Sequence, residues 1–182
     1  DKILLSNGEE ICYTKRKKRA LREELQKKQE FMIAKISKEK LPLTPEEYGK
    51  YYKICDALPF AFTDIEMVFD KEKKAVDWIF RYGNEALATL EKLPLDKMIG
   101  SSFSSLFSNM DSKWLQGYER ATLYGETLEI IDYSPEIDTN LKIICFPTFP
   151  GHCGCILFNA DKMRYIKDGN NLVRWIIVSM KK

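Results

Sequence analysis

The chain has 182 residues, 45% of them hydrophobic and 12% aromatic, enough for one ordinary domain with a packed core and too apolar for general disorder. Its 29 basic and 27 acidic residues leave a net charge of +2, which excludes a global electrostatic pull toward nucleic acid or an anionic membrane. Five cysteines, an odd number, with no visible signal peptide, point to free thiols in a reducing cytoplasm, and no apolar run approaches the ~20 residues that span a bilayer.

In chain order, "KILLSNGEEICY" places a Ser-Asn-Gly turn signal between two apolar stretches and predicts a small hairpin. "KRKKRALREELQKKQEFMIAKI" (Lys15–Ile36) consists of helix formers without Gly or Pro. Its apolar stripe is broken, so it predicts an exposed helix able to pack on a partner rather than a coiled coil. The basic run Lys15–Arg19 is a solvated helix face, with a juxtamembrane position in a longer receptor as the alternative. A second helix starts with Thr44 as N-cap, Pro45 at the first position and Glu47 completing a capping box, and is expected to run to about Leu58, before Pro59.

From Ala57 to about Asp161 the pattern changes. "AFTDIEMVFD" and "AVDWIFRYG" read as strands joined by a charged turn, "KEKK". Asn84 caps a short helix, Gly100 closes another, and "DSKWLQGYERATLYGE" is a longer helix ending at Gly125. Three strands follow: "TLEIIDYSP", "LKIICFPTF" and "HCGCILFNA". Two strands, helices, then three strands describe an α+β domain, an antiparallel sheet with helices packed on one face. The resulting division is an N-terminal extension over 1–56, a domain over 57–161, and a C-terminal strand or helix over 162–182. The start at Asp1, without methionine, leaves room for further segments or a membrane anchor.

These stretches resemble a PAS domain. Its pattern is matched by Asn84-Glu85-Ala86 after a strand, then Ile99-Gly100, Phe103 and Leu106-Phe107, within "VDWIFRYGNEALATLEKLPLDKMIGSSFSSLF" and the final three strands. The wording is similar to PAS modules that precede GGDEF or phosphodiesterase outputs in bacterial signalling proteins. The tail "MRYIKDGNNLVRWIIVSMKK" lacks GGDEF, EAL and histidine-kinase motifs. The resemblance implies a five-stranded sheet and a cytoplasmic sensory or dimerising module, not itself an enzyme, with the controlled output elsewhere.

It also implies a site between the sheet and the long helix, with Phe103, Phe107, Trp114, Tyr118, Ile143 and Cys145 as candidate lining residues. The competing expectation is that these side chains simply fill the core of a ligand-free interaction module. Flavin photochemistry of the PAS type needs a cysteine where this chain has "GSSFSSLFSN". Haem ligation uses a histidine on the helix before the three-strand run, and none is there. Neither cofactor is expected.

"GHCGC" (Gly151–Cys155) holds the single histidine and two cysteines. On a strand, His152, Gly154, Ile156 and Phe158 face one way and Cys153, Cys155 and Leu157 the other, which separates His152 from both thiols. Cys145 on the preceding strand can join Cys153 and Cys155, as a soft-metal site or as small apolar packing, the commoner role of buried cysteine. His152 is expected at a hairpin tip, facing solvent or capping. Asp132, Glu136 and Asp138 read as a solvated acidic loop. "LKIICFP" and "CILF" are apolar on both faces, so something must cover the outer face of the sheet. The candidates are the Thr44–Leu58 helix, the Lys15–Ile36 helix, the tail, or a second copy forming a homodimer.

Overall fold

The computed structural model of the chain describes residues 2–4, 10–12, 15–38, 44–108 and 111–163; most of the segment assigned to the tail, from 164 onward, lies outside them. Strands β1 (Lys2–Leu4) and β2 (Glu10–Cys12) pair antiparallel with Ile3 opposite Ile11, as the hairpin signal predicts. Helix α1 (Lys15–Lys38) follows and lies alongside the later helix at Ser112–Tyr124.

Helix α2 (Pro45–Tyr51) carries the full capping box. The Glu47 amide donates to Thr44 Oγ1 at 3.3 Å and the Thr44 amide to Glu47 Oε2 at 2.7 Å. The helix stops seven residues short of the expected Leu58. Tyr52 leaves the helical region at φ −95°, ψ 16°, and Lys53–Ala57 tighten into a 3₁₀ turn. Leu58 is then extended, as the residue before a proline should be.

The domain proper contains β3 (Ala61–Phe69), β4 (Ala75–Gly83), short helices α3 (Glu85–Glu91), α4 (Leu95–Met98) and α5 (Phe103–Leu106), the longer α6 (Ser112–Tyr124), then β5 (Leu128–Ser134), β6 (Thr139–Pro147) and β7 (His152–Asn159). The five strands form one antiparallel sheet in the order β4-β3-β7-β6-β5. The first strand therefore sits in the interior of the sheet beside the last. This is an α+β architecture consistent with a PAS-like fold.

β3 is buried on both faces. Ile65 and Met67 point to the helices α3–α6, into a core with Trp78, Phe80, Trp114, Ile143 and Leu157. Phe62 and Asp64 point to the other side, where Tyr48 and Tyr52 of the N-terminal extension pack with Phe62 and Tyr82. α2 and the 3₁₀ turn thus cover part of the outer face, and the strands' two-sided apolar character is explained without a second chain at that place. Burying each of these rings stabilises the fold by roughly 1.5–3 kcal/mol.

Asn84 fastens the same junction. Its Oδ1 caps α3 by accepting from the Leu87 amide at 3.0 Å and also accepts from the Phe62 amide at 3.1 Å. Its Nδ2 donates to the carbonyls of Cys55 and Phe60, both at 3.0 Å. One buried amide joins the helix layer, β3 and the extension. Asn84→Ala strands buried backbone groups and is expected to lower stability by about 2–4 kcal/mol in urea unfolding, well beyond the ~1 kcal/mol of an ordinary cap.

Candidate functional site

Two polar constellations sit back to back across β3. The first lies on the outer face. Asp64 is fully buried, so its carboxylate must be satisfied by hydrogen bonds rather than by water. Tyr52 donates to Oδ2 at 2.8 Å and Thr148 donates to the same oxygen at 2.5 Å. His152 Nδ1 lies 2.6 Å from Oδ1. That contact assigns the Nδ1 proton and leaves Nε2 facing the Tyr48 hydroxyl at 3.4 Å.

The strand alternation separates His152 from the thiols as expected, but His152 is 3% exposed rather than at a solvated tip. It stacks on Tyr48 with centroids 5.8 Å apart and meets Phe149 edge-on at 5.7 Å. The turn before β7 places it there. Gly151 adopts φ +82°, the His152 amide returns to the Phe149 carbonyl at 2.9 Å, and Met67 donates to the Gly151 carbonyl. Gly154, opposite Asp64, keeps the path open, since a Cβ there would lie 2.8 Å from Thr148 Cγ2. Burial and the neighbouring Asp64 charge push the Tyr48 hydroxyl up to about 12 and Tyr52 higher still, so both remain protonated donors. Beside this network Arg81 pairs with Glu66 at 2.6 Å.

The second constellation is a cavity between the sheet and α6. Its walls are apolar and aromatic, including Ile65, Trp78, Phe80, Phe103, Trp114, Tyr118 and Ile143. Four of the sequence-derived candidates, Phe103, Trp114, Tyr118 and Ile143, line it. Phe107 stands behind, stacked on Phe103 with centroids 4.7 Å apart, and Cys145 is fully buried with its thiol 3.8 Å from the Gly117 carbonyl. The volume is about 30 Å³, room for a water or two.

The cavity also holds polar groups that periodicity does not mark: Thr63, Glu91, Ser134 and Glu136. Ser134 donates to Glu136 Oε2 at 2.5 Å, while Glu136 Oε1 is shielded from solvent without a hydrogen-bond partner. Glu136 therefore does not belong to the solvated loop expected for it. Asp132 and Asp138 do remain exposed, paired with Lys113 and hydrogen-bonded by Tyr133. Burial, reinforced by the Glu136 charge, raises Glu91 to about 7. A usable signal for Glu91 existed in its position at the end of α3, one turn beyond the buried Leu87.

The observed register brings the three thiols together, with Cys145 opposite Cys155 and Cys153 Sγ 3.8 Å from Cys155 Sγ. All are buried. Cys145 is raised by its hydrogen bond to Cys153 and by burial, and Cys155 chiefly by burial. Protonated thiols are poor nucleophiles and poor metal ligands. Among the described residues no group of three or more His, Cys, Asp or Glu side chains is disposed to hold a metal ion.

No protein-family model matches the chain, and no curated protein matches it. Among solved structures, the crystal structure of a domain of HTR-like protein from Haloarcula marismortui is loosely similar. Its TM-score is 0.42 at 11% identity, over 57% of this chain and 99% of that chain. Among the described residues no helix is long and apolar enough to cross a membrane.

Two outcomes are expected. Asp64→Ala removes the shared acceptor of Tyr52, Thr148 and His152 and should lower stability by about 3–5 kcal/mol in urea unfolding. Folding raises Glu91 from the usual 4.5 to about 7, so the folded chain keeps a proton that the unfolded chain has released, and stability should fall as pH rises through that window. Glu91→Gln should flatten this dependence and gain on the order of 1–2 kcal/mol at pH 8, after allowance for partial exposure.

Proposed function

We propose that the chain is a regulatory sensor module of a signalling protein. A small ligand in the cavity between the sheet and α6 alters the packing of β3, and the change passes to the N-terminal helices. The observation that carries this reading is the arrangement across β3. Thr63 and Ile65 line the cavity on one face, while Asp64 between them holds the extension on the other. A shift of one strand is therefore felt at both sites, in the way packed elements couple two sites through a shared body. The output lies in a partner or in a further domain, and the module itself carries out no chemistry. Cytoplasmic placement, in a bacterial cell, accompanies this reading.

A second reading is a ligand-free dimerisation module. It is favoured by the small size of the cavity and by Ile131 and Tyr133, which are 58% and 43% exposed on the edge strand β5. In that reading a second copy pairs through the remaining sheet face or the α1 helix.

Non-denaturing mass spectrometry of the purified chain, with light scattering at high concentration, tests the two. A retained small molecule, lost on denaturation, is the outcome the sensor reading predicts. A dimer without retained mass, with its core amides unaffected by a panel of small metabolites, contradicts it in favour of the second reading.

A further inference from the structure

Fifteen residues line the cavity, and thirteen of them are buried. The two that are only partly buried are Glu91 and Glu136, so the least buried part of the lining carries two carboxyl groups. One comes from the end of α3 and the other from the turn between β5 and β6. Behind them stand the rings of Trp78, Phe103, Trp114 and Tyr118. Trp78 lies between Phe103, at 4.3 Å, and Tyr118, at 5.1 Å and perpendicular.

The lining residues include no Lys, Arg or His. The neighbouring Lys92 does not line the cavity and donates to the carbonyl of Ile137, the residue after Glu136, at 3.1 Å. The two carboxyl groups thus have no basic side chain beside them in the cavity wall itself. Glu136 Oε1 is shielded from solvent and accepts no hydrogen bond from the protein, and such an atom is costly to leave unpaired.

We infer that the cavity takes the ammonium group of a small amine, seated between Glu91 and Glu136 with its carbon atoms against the aromatic wall. This deepens the sensor reading above and rests on it. An ammonium group offers three donors, enough for Glu136 Oε1, Glu91 and the Ser134 hydroxyl, and it is attracted by aromatic faces. A divalent metal ion fits less well, since it needs six or more oxygen ligands and the walls are mostly rings. An anion is repelled by the two carboxyl groups, and a neutral alcohol leaves the charge uncompensated. The size of the cavity limits what enters to a few heavy atoms. At a ceiling of about 1.5 kcal/mol per atom, a ligand of three heavy atoms binds in the millimolar range at best.

The other titratable groups at the cavity are Tyr118 and Cys155, both held protonated by burial. Glu91 is thus the group whose proton an incoming cation displaces, and binding should tighten as pH rises from 6 to 8.

The test uses the whole chain with ethylamine, ethanol and acetate as probes of equal size and different charge. NMR reports through the indole groups of Trp78 and Trp114 and the amides of α3. The expected result is saturable binding of ethylamine at pH 8, with ethanol at least about ten-fold weaker and acetate without effect. Glu91→Gln and Glu136→Gln should each weaken ethylamine by about ten-fold, whereas Glu85→Gln, on the exposed side of α3, should not. Binding of ethanol or acetate as tight as that of ethylamine overturns the cationic selectivity but leaves a ligand-binding module standing. Ethylamine binding unchanged in both cavity variants does the same. Absence of saturable shifts with all three probes overturns this inference and counts against the sensor reading as well.

Discussion

A buried carboxylate with three donors organises this molecule. Asp64 sits on an interior strand, has no access to water, and is satisfied by Tyr52, Thr148 and His152. Those donors come from three separate places: the end of the N-terminal extension, the turn after β6, and the first residue of β7. None of them is close to Asp64 in sequence. A charge in that position is tolerated only when all three are in place, so the position of each segment is conditional on the others. The aromatic cluster of Tyr48, Tyr52, Phe62 and Tyr82 supplies the apolar burial around it. The hydrogen bonds supply the direction, fixing one docking of the extension among the many that greasy rings alone would allow.

The consequence for function is that α2 is part of the domain rather than an appendage. The sheet has a cavity on one face and the extension on the other, and β3 belongs to both. Alternation along a strand places Thr63 and Ile65 on the cavity side and Asp64 on the other, so no long relay is required between them. The cavity is nearly filled, which limits its occupant to something small, and Glu91 and Glu136 are among its lining residues. Close packing of this kind resists expansion by a bulky insertion.

The local features were legible from the chain. The Thr44 capping box, Asn84 as N-cap, the αL glycine at 125 and the alternation along β7 all depend on residues within a few positions of each other, where backbone stereochemistry decides. The order of strands and helices followed from the same signals. What escaped depends on distant partners. His152 follows a Pro-Gly turn and has the local character of a solvated tip, and its burial is created by Tyr48, more than a hundred residues earlier. Glu136 lies in an acidic stretch whose fold turns one of its three acids inward and leaves the other two in water. The end of α2 was misplaced because Asp56 is drawn onto the Tyr82 hydroxyl at 2.6 Å, a tertiary contact that favours the tighter turn.

The most direct test of the central claim is native-state hydrogen exchange. If Asp64 binds the extension into the domain, the amides of residues 48–55 will exchange through the same opening as those of β3 and β7, with matching free energies and matching denaturant dependence. Exchange of α2 at much lower free energy, with the sheet still protected, would contradict the account, since it would show the extension detaching while the Asp64 carboxylate remained buried.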